Sequence, residues 1–158
     1  MTSPLSGVQS LPFGKDAGRQ CTLEEFKTKI IIETVEKIKP IKYYNNFKEE
    51  KLQIKKDQNT KTGVYCLLNL INGHFYIGSS VNIAIRMSNY LNNAFLKQNK
   101  NNKMPIVQAL LKYGQDNFAL LIIEYVPCKN ASGLVIRETY YIKQFFPYYN
   151  VLKQGYSS

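Results

Sequence analysis

The chain has 158 residues, of which 44% are hydrophobic, so it can bury one sizeable core and hardly two. Its formal net charge of +10 suits a polyanionic partner, although mitoribosomal and membrane-surface proteins are basic too. No apolar run reaches the roughly 18 residues of a membrane-spanning helix. Three scattered cysteines and a single histidine argue against a zinc site or a disulfide framework.

The first sixty residues combine a polar tail, one helix and a basic tract. Residues 1–20 are rich in Ser, Gly and Pro and lack the apolar core of a signal peptide, which predicts a disordered segment. Thr22-Leu23-Glu24-Glu25 is a capping box, and apolar residues follow at helical spacing up to Pro40, which predicts an amphipathic helix. Such a helix docks on the rest of the chain or on another protein. Ile41 to Lys61 has no clear period and is predicted to be a linker that can touch phosphates.

The stretch from Gly63 to Ile77 has the pattern of a β-hairpin. Val64 to Ile71 is β-branched, aromatic and apolar, and Asn72-Gly73 is a strong hairpin turn signal. Tyr65 and Tyr76 lie on opposite arms, so their side chains can share one face of the hairpin.

A helix is predicted to follow, because Asn82 can cap it and Ile83, Met87, Tyr90, Leu91 and Ala94 recur at helical spacing. If this helix packs over the hairpin, Arg86 joins the two phenols in one polar cluster. The alternative is that both tyrosines are ordinary strand residues, because tyrosine favours strands.

The basic residues are concentrated in the second part of the chain, which continues with a loop, a helix and a strand. Residues 61–158 hold 10 Lys/Arg against 3 Asp/Glu, whereas residues 1–60 hold 11 against 8. Lys97 to Lys103 is a loop of Asn and Lys that suits backbone phosphates, although a solvated loop has the same composition. Pro105 begins a helix that Gly114 ends, and Phe118 to Val126 is a nearly apolar, central strand. Glu124 within that strand is expected to be outward or paired.

The last predicted helix runs from about Ala131 to Phe146 and carries Glu138 on an apolar stripe. A buried, ionised carboxylate needs a cation. Two kinds of partner are open, namely a structural ion pair with Arg86 or Arg137, or a hard metal ion.

Gly63-Val64-Tyr65, Tyr76-Ile77-Gly78, the Ser79-Ser80-x-Asn82 extension and Arg86 together resemble the GIY-YIG nucleases. The resemblance covers about the last hundred residues. The frame from Asn69 through Asn72-Gly73 to Arg86 is similar to the intron-encoded homing endonucleases of fungal mitochondria.

This resemblance implies an α+β fold, in which helices flank a small three-stranded antiparallel sheet and an N-terminal helical extension precedes it. Residues 1–20, 21–60 and 61–158 would then be the tail, the extension and the nuclease-like domain. It also implies metal-dependent hydrolysis of DNA phosphodiesters, with Tyr65 as the base, Tyr76 orienting water or phosphate, Arg86 holding a phosphoryl oxygen, Glu138 binding Mg²⁺ and Asn150 near the site. The residues expected to contact the DNA backbone are Lys61, Ser79, Ser80, Lys97, Lys100 and Lys103.

Two departures from the family pattern favour an alternative function. Tyr90 stands where homing members often carry a histidine, and the sequence given has no DNA-binding region after Ser158; the sole histidine, His74, is expected to be exposed. The alternative is a non-catalytic binder of RNA or DNA, such as an intron-splicing factor or a mitochondrial ribonucleoprotein subunit. Oligomeric state is open.

Ser3 to Ser10 resembles a loop of cytochrome oxidase subunit 1, although so short a match also arises by chance. It implies an intron reading frame, hence a protein made in the mitochondrial matrix from an organelle gene.

Overall fold

The computed structural model describes residues 22–127 and 131–152, so the segment predicted to be disordered, residues 1–20, lies outside it. The chain divides between Ile30 and Ile31 into two units. The first unit contains the start of helix α1 (Leu23–Ile38), where Thr22 and Glu25 form the predicted capping box through bonds of 2.8 and 3.1 Å. None of the described helices is both long enough and apolar enough to cross a membrane.

The second unit contains a four-stranded antiparallel sheet. Its strands are β1 (Lys42–Tyr44), β2 (Gly63–Asn69), β3 (Phe75–Ser80) and β4 (Phe118–Tyr125), in the spatial order β1-β4-β2-β3. The predicted hairpin is confirmed: Tyr65 pairs with Gly78, and Gly73 adopts a φ of 80° in the turn. The strand predicted to be central, β4, lies between β1 and β2.

The remaining helices are α2 (Lys51–Gln58), α3 (Ile83–Tyr90), α4 (Asn93–Leu96), α5 (Pro105–Tyr113), α6 (Ala131–Phe145) and α7 (Tyr148–Val151). One face of the sheet, the α3 face, carries Tyr65, Leu67 and Ile122, and side chains of α2, α3, α4, α5 and α7 bury it. Strand alternation puts Val64, Cys66 and Ser79 on the opposite face, the α6 face. Lys37 of α1 lies over Phe75 on that face.

The tract from Ile41 to Lys61 was predicted to be a linker, and that prediction was wrong. It forms β1, which pairs with β4, and α2, and it buries Tyr44, Phe47 and Ile54. The sheet therefore has four strands rather than three. A three-residue strand and an eight-residue helix are too short to produce a recognisable period among the surrounding lysines and asparagines.

A β-bulge in β4 decides which way its last residues point. Tyr65 pairs with Ile122 but Val64 pairs with Glu124, so Ile123 is the extra residue. Beyond it Glu124 lies on the α6 face, where Arg137 binds it at 2.9 Å, and Tyr125 lies on the α3 face. The expectation that Glu124 would be outward or paired is confirmed.

Candidate active site

Two glycines bring the strands of the hairpin into their positions. At Gly63, a Cβ atom would lie 2.2 Å from the carbonyl oxygen of Glu124, so a side chain would push β2 away from the bulge. At Gly78, a Cβ atom would lie 2.6 Å from the hydroxyl oxygen of Tyr65 and 2.8 Å from Cε2 of Tyr76. Glycine at position 78 thus makes room for both phenol rings.

Tyr65 lies at the centre of a cluster of three tyrosines. Its ring centroid is 6.4 Å from that of Tyr76 and 6.5 Å from that of Tyr90. The side chain is completely buried, and its hydroxyl makes no well-aligned hydrogen bond among the described residues, although the polar groups of Tyr90 and Arg86 lie near it. Burial raises the pKa of Tyr65 well above its usual value, Tyr90 and Tyr76 add to this, and the positive charge of Arg86 acts in the opposite direction. A cation was expected to lower this pKa, but the effect of burial outweighs that of Arg86.

Arg86 and Glu138 approach each other at Ser79, although they come from helices on opposite faces of the sheet. Arg86 Nη1 donates to the carbonyl oxygen of Ser79 at 3.4 Å, and the Ser79 hydroxyl donates to Glu138 Oε1. This is possible because β3 is an edge strand, around which both side chains can reach. The charge of Glu138 also acts on Tyr76, whose pKa is raised by burial, by Tyr90 and then by Glu138.

The sequence left an ion pair between Glu138 and Arg137 as one possibility, but the structure does not contain it. Arg137 binds Glu124, and the hydroxyl of Tyr141 donates to the same Glu124 oxygen at 2.7 Å. Glu138 is half-buried and bonded to Ser79, which leaves the rest of its carboxylate for another ligand.

Asn150 lies close to the cluster, but its amide is occupied by the backbone of β3. Asn150 Nδ2 donates to the carbonyl oxygen of Ile77, and the Ile77 amide donates to Asn150 Oδ1, both at 2.8 Å. The side chain therefore completes the hydrogen bonding of the edge strand between Tyr76 and Gly78. It is a positioning residue in this arrangement.

Comparison with known proteins shows the family of this chain. A family model described as the GIY-YIG catalytic domain matches residues 61–150. The chain belongs to the GIY-YIG family. It is 32% identical over 89 residues to Probable intron-encoded endonuclease 1 of Neurospora crassa, an alignment that covers 54% of this chain and 27% of the relative. The chain thus spans about a quarter of that relative's length.

Two solved structures are similar to this chain. They are the catalytic domain of the homing endonuclease I-TevI, with a TM-score of 0.45, and a mutant of the same domain, with a TM-score of 0.46. Both are 22% identical and cover 54% of this chain, which spans 89% and 84% of those chains.

GIY-YIG nucleases are generally metal-dependent, and the donor atoms here fit a lightly held cation. The described residues contain no cluster of three or more His, Cys, Asp or Glu side chains that could enclose a metal ion. Glu138 is instead a single carboxylate beside the Ser79 hydroxyl. Such a site suits Mg²⁺, which keeps several waters and takes only one or two carboxylates together with substrate phosphates.

The residues predicted to touch DNA fall into two groups. The lysines, Lys61, Lys97, Lys100 and Lys103, are exposed, so they are accessible to a phosphate. Ser80 is buried, and its hydroxyl donates to the Asn82 carbonyl and accepts from the Asn82 amide ahead of α3. The hydroxyl of Ser79 is bonded to Glu138. Both hydroxyls are thus engaged within the protein. Burial argues against a DNA contact by Ser80, whereas Ser79 is partly exposed and its contact with DNA stays a prediction.

Several parts of the site were missed by reasoning on the sequence. Tyr90 was placed on the helix and noted as a departure from histidine, but the packing of its ring on Tyr65 was not predicted. The link through Ser79 has no signal in the sequence. His74 was expected to be exposed, but its ring stacks on Tyr148 with centroids 3.9 Å apart, and burial lowers its pKa.

Proposed function

We propose that this chain is the catalytic domain of a metal-dependent endonuclease that hydrolyses phosphodiester bonds in DNA. The observation that carries the proposal is the meeting of Arg86 and Glu138 at Ser79, beside the phenols of Tyr65 and Tyr76. Hydrolysis of a phosphodiester requires an activated water, stabilisation of the charge on the phosphoryl oxygens and help for the leaving oxygen. A proton acceptor, a guanidinium and a metal-binding carboxylate can supply these three functions. The site residues are proposed as catalytic in the roles that follow.

The roles follow from where each group lies. Arg86 is half-buried at the sheet edge and holds a phosphoryl oxygen, stabilising the charge that develops on it. Glu138 would hold Mg²⁺, which when bound polarises the phosphoryl group and the attacking water. Tyr76 orients the water or the phosphate, and Asn150 keeps the Tyr76 strand in place through Ile77.

Tyr65 is proposed as the base that accepts the proton of the attacking water. Forming a phenolate at pH 7 costs about 4 kcal/mol for an ordinary tyrosine, and more here because its pKa is raised. The buried hydroxyl must therefore become accessible when substrate binds, so that water and the charge of Arg86 can offset this cost.

Plasmid cleavage tests the proposal. Supercoiled DNA incubated with the protein should be nicked or linearised in Mg²⁺ and unchanged in EDTA. Arg86→Ala should lower the rate by about 10²- to 10³-fold, and Glu138→Gln should abolish cleavage in Mg²⁺ because it removes the proposed metal ligand, whereas Lys143→Gln, an exposed lysine on α6, should cleave at the wild-type rate. Wild-type protein that leaves the plasmid intact in Mg²⁺ would contradict the proposal.

A second candidate is a nucleic-acid binder without catalysis, and one observation favours it. Tyr65 is shut off from solvent, with Tyr90 against its ring where homing relatives often carry histidine. For this candidate we expect tight binding of structured RNA, or of DNA, with no nicking in the same assay.

We also propose that the protein acts in the mitochondrial matrix. The support is the similarity to a fungal intron-encoded endonuclease. Fractionation of cells expressing the protein from its own locus should recover it with matrix markers, and recovery in the cytosol would contradict this.

A further inference from the structure

Helix α2 precedes the residues that match the GIY-YIG family and carries a group of exposed lysines. Lys51, Lys55 and Lys56 are all exposed, and none forms an ion pair in the part of the chain that the structure describes. We call these three residues the α2 lysine surface. The family match begins at residue 61, so nothing in that match assigns a role to this helix.

The helix is held rigidly, mostly by polar contacts. The side chain of Gln58 is completely buried; it donates to the Tyr44 hydroxyl at 3.0 Å and accepts from the Tyr125 hydroxyl at 2.8 Å. Tyr44 in turn donates to Asp57 at 2.8 Å. Ile54 is the buried apolar residue of α2. An isolated helix of eight residues is unstable in water, so these contacts fix both its structure and its direction.

These contacts also determine where the lysines point. Asp57 faces β1, the strand at one edge of the sheet, because it binds Tyr44. Helix α3 packs against α2 and carries Arg86, which bonds β3 at the opposite edge. At 100° per residue, Lys51 and Lys55 lie on the flank of α2 away from Asp57, hence toward α3, and Lys56 points outward.

The carboxylates near this surface are mostly engaged elsewhere. Asp57 is bound by Tyr44 and Gln53 and lies 3.7 Å from Lys42, and Glu50 accepts the Asn46 amide at 3.0 Å. Glu49 is exposed and forms no ion pair with the three lysines among the described residues. Residues 48–57 hold four lysines against three carboxylates, so the lysines are unpaired and the segment keeps a small positive charge.

Helix α3, which carries Arg86, packs directly against α2. A duplex with one phosphate at Arg86 would pass over α3 to reach the lysines of α2. Building on the proposed function, we propose that the α2 lysine surface binds the phosphate backbone of the substrate DNA duplex, on the far side of α3 from the phosphate held by Arg86. It supplies affinity without reading sequence.

The test compares two double variants of the full chain that remove the same charge. Lys55→Gln/Lys56→Gln alters the α2 lysine surface, and Lys29→Gln/Lys143→Gln alters exposed lysines of α1 and α6. Binding of a short DNA duplex is measured by fluorescence anisotropy in EDTA, between about 50 and 200 mM NaCl. The logarithm of the affinity falls as the logarithm of the salt concentration rises. Each lost phosphate contact should make this negative slope shallower by about 0.9.

For the α2 double variant we expect the slope to become shallower by about 1.8 and the affinity near 0.1 M salt to fall at least tenfold. The slope and the affinity of the control variant should change little. Both variants should unfold at the wild-type urea concentration, because the substituted side chains are exposed.

A hairpin RNA is measured as a second probe. Three results would overturn the inference: an unchanged slope in the α2 variant, an equal loss of affinity in both variants, or a loss of affinity for the hairpin RNA but not for the DNA duplex. If the wild-type protein cleaves plasmid and the α2 double variant keeps the wild-type slope, only the inference is refuted. Wild-type protein that neither binds nor cleaves DNA refutes the proposed function as well.

Discussion

The phenol oxygen of Tyr65 is buried without a well-aligned hydrogen bond among the described residues, although the polar groups of Tyr90 and Arg86 lie near it. Tyr65→Phe removes that oxygen and should leave the free energy of unfolding unchanged or raise it by up to about 1 kcal/mol. The same change should lower DNA cleavage by about 10²- to 10⁴-fold, since it removes the proposed base. Urea unfolding and plasmid cleavage measure the two effects.

Tyr149→Phe is the matched control for this prediction. Tyr149 is buried as well, but its hydroxyl accepts a bond of 3.1 Å from Asn69 Nδ2. Its removal leaves a buried donor unpaired and should lower stability by about 1 kcal/mol. If both substitutions destabilise the protein equally, the hydroxyl of Tyr65 has a partner in solution.

The raised pKa of Tyr65 also predicts how stability depends on alkaline pH. The unfolded chain releases this proton near pH 10, whereas the folded protein retains it to higher pH. Its contribution to stability is therefore fully present below pH 10 and is lost as the pH rises toward the folded pKa. Above about pH 11, the wild-type unfolding free energy should fall more steeply than that of Tyr65→Phe, by about 1.4 kcal/mol per pH unit. Parallel curves for the two proteins would contradict a raised pKa.

Gly78 provides the space in which the two phenols meet. Gly78→Ala would place a Cβ atom 2.8 Å from Cζ of Tyr65, so both rings must shift. We expect a loss of about 1–3 kcal/mol in stability together with loss of cleavage. Gly73→Asn is the control, because position 73 has a φ of 80° that asparagine tolerates and no heavy atom lies within 4 Å of a Cβ there. That variant should cleave normally.

At the scale of elements, the edge strand β3 depends on one side chain from α7. Asn150 both donates to and accepts from the backbone of Ile77. Asn150→Asp keeps an acceptor but cannot donate when ionised, so it places a negative charge against the Ile77 carbonyl. We expect hydrogen exchange at the Ile77 amide to become faster and cleavage to fall, while Asn45→Ala, at an exposed asparagine, changes neither. Slow Ile77 exchange with lost cleavage would instead mean that Asn150 contacts the substrate.

Elements whose signals are local were predictable from the sequence. The hairpin follows from Asn72-Gly73 between two extended runs, and α5 from Pro105 and Gly114 at its ends. The bulge at Ile123 was not predictable, because it depends on how β2 and β4 meet, and it reverses the faces on which Glu124 and Tyr125 lie. The same holds for the meeting of Arg86 and Glu138 at Ser79, which needs two faces of the sheet to converge at one edge.

At the scale of the whole molecule, the site depends on elements outside the family match. The match begins at residue 61, but β1 and α2 lie before it and complete the core on the α3 face. Helix α2, which lies before residue 61, packs against α3, the helix that carries Arg86. The segment preceding residue 61 thus supports the position of Arg86 itself.

A chain shortened to begin at Lys61 should therefore fail to fold. It lacks Tyr44, Phe47 and Ile54, whose burial contributes about 1.5–3 kcal/mol each, a sum comparable to the total stability of a small domain. It also leaves β4 without its partner β1, as an exposed apolar edge that favours aggregation. A chain that begins at Ile31, where the second unit starts, keeps both elements and should melt cooperatively by circular dichroism and elute as a folded species. Equal melting of the two shortened chains would show that β1 and α2 are dispensable to the fold and that Arg86 is positioned without them.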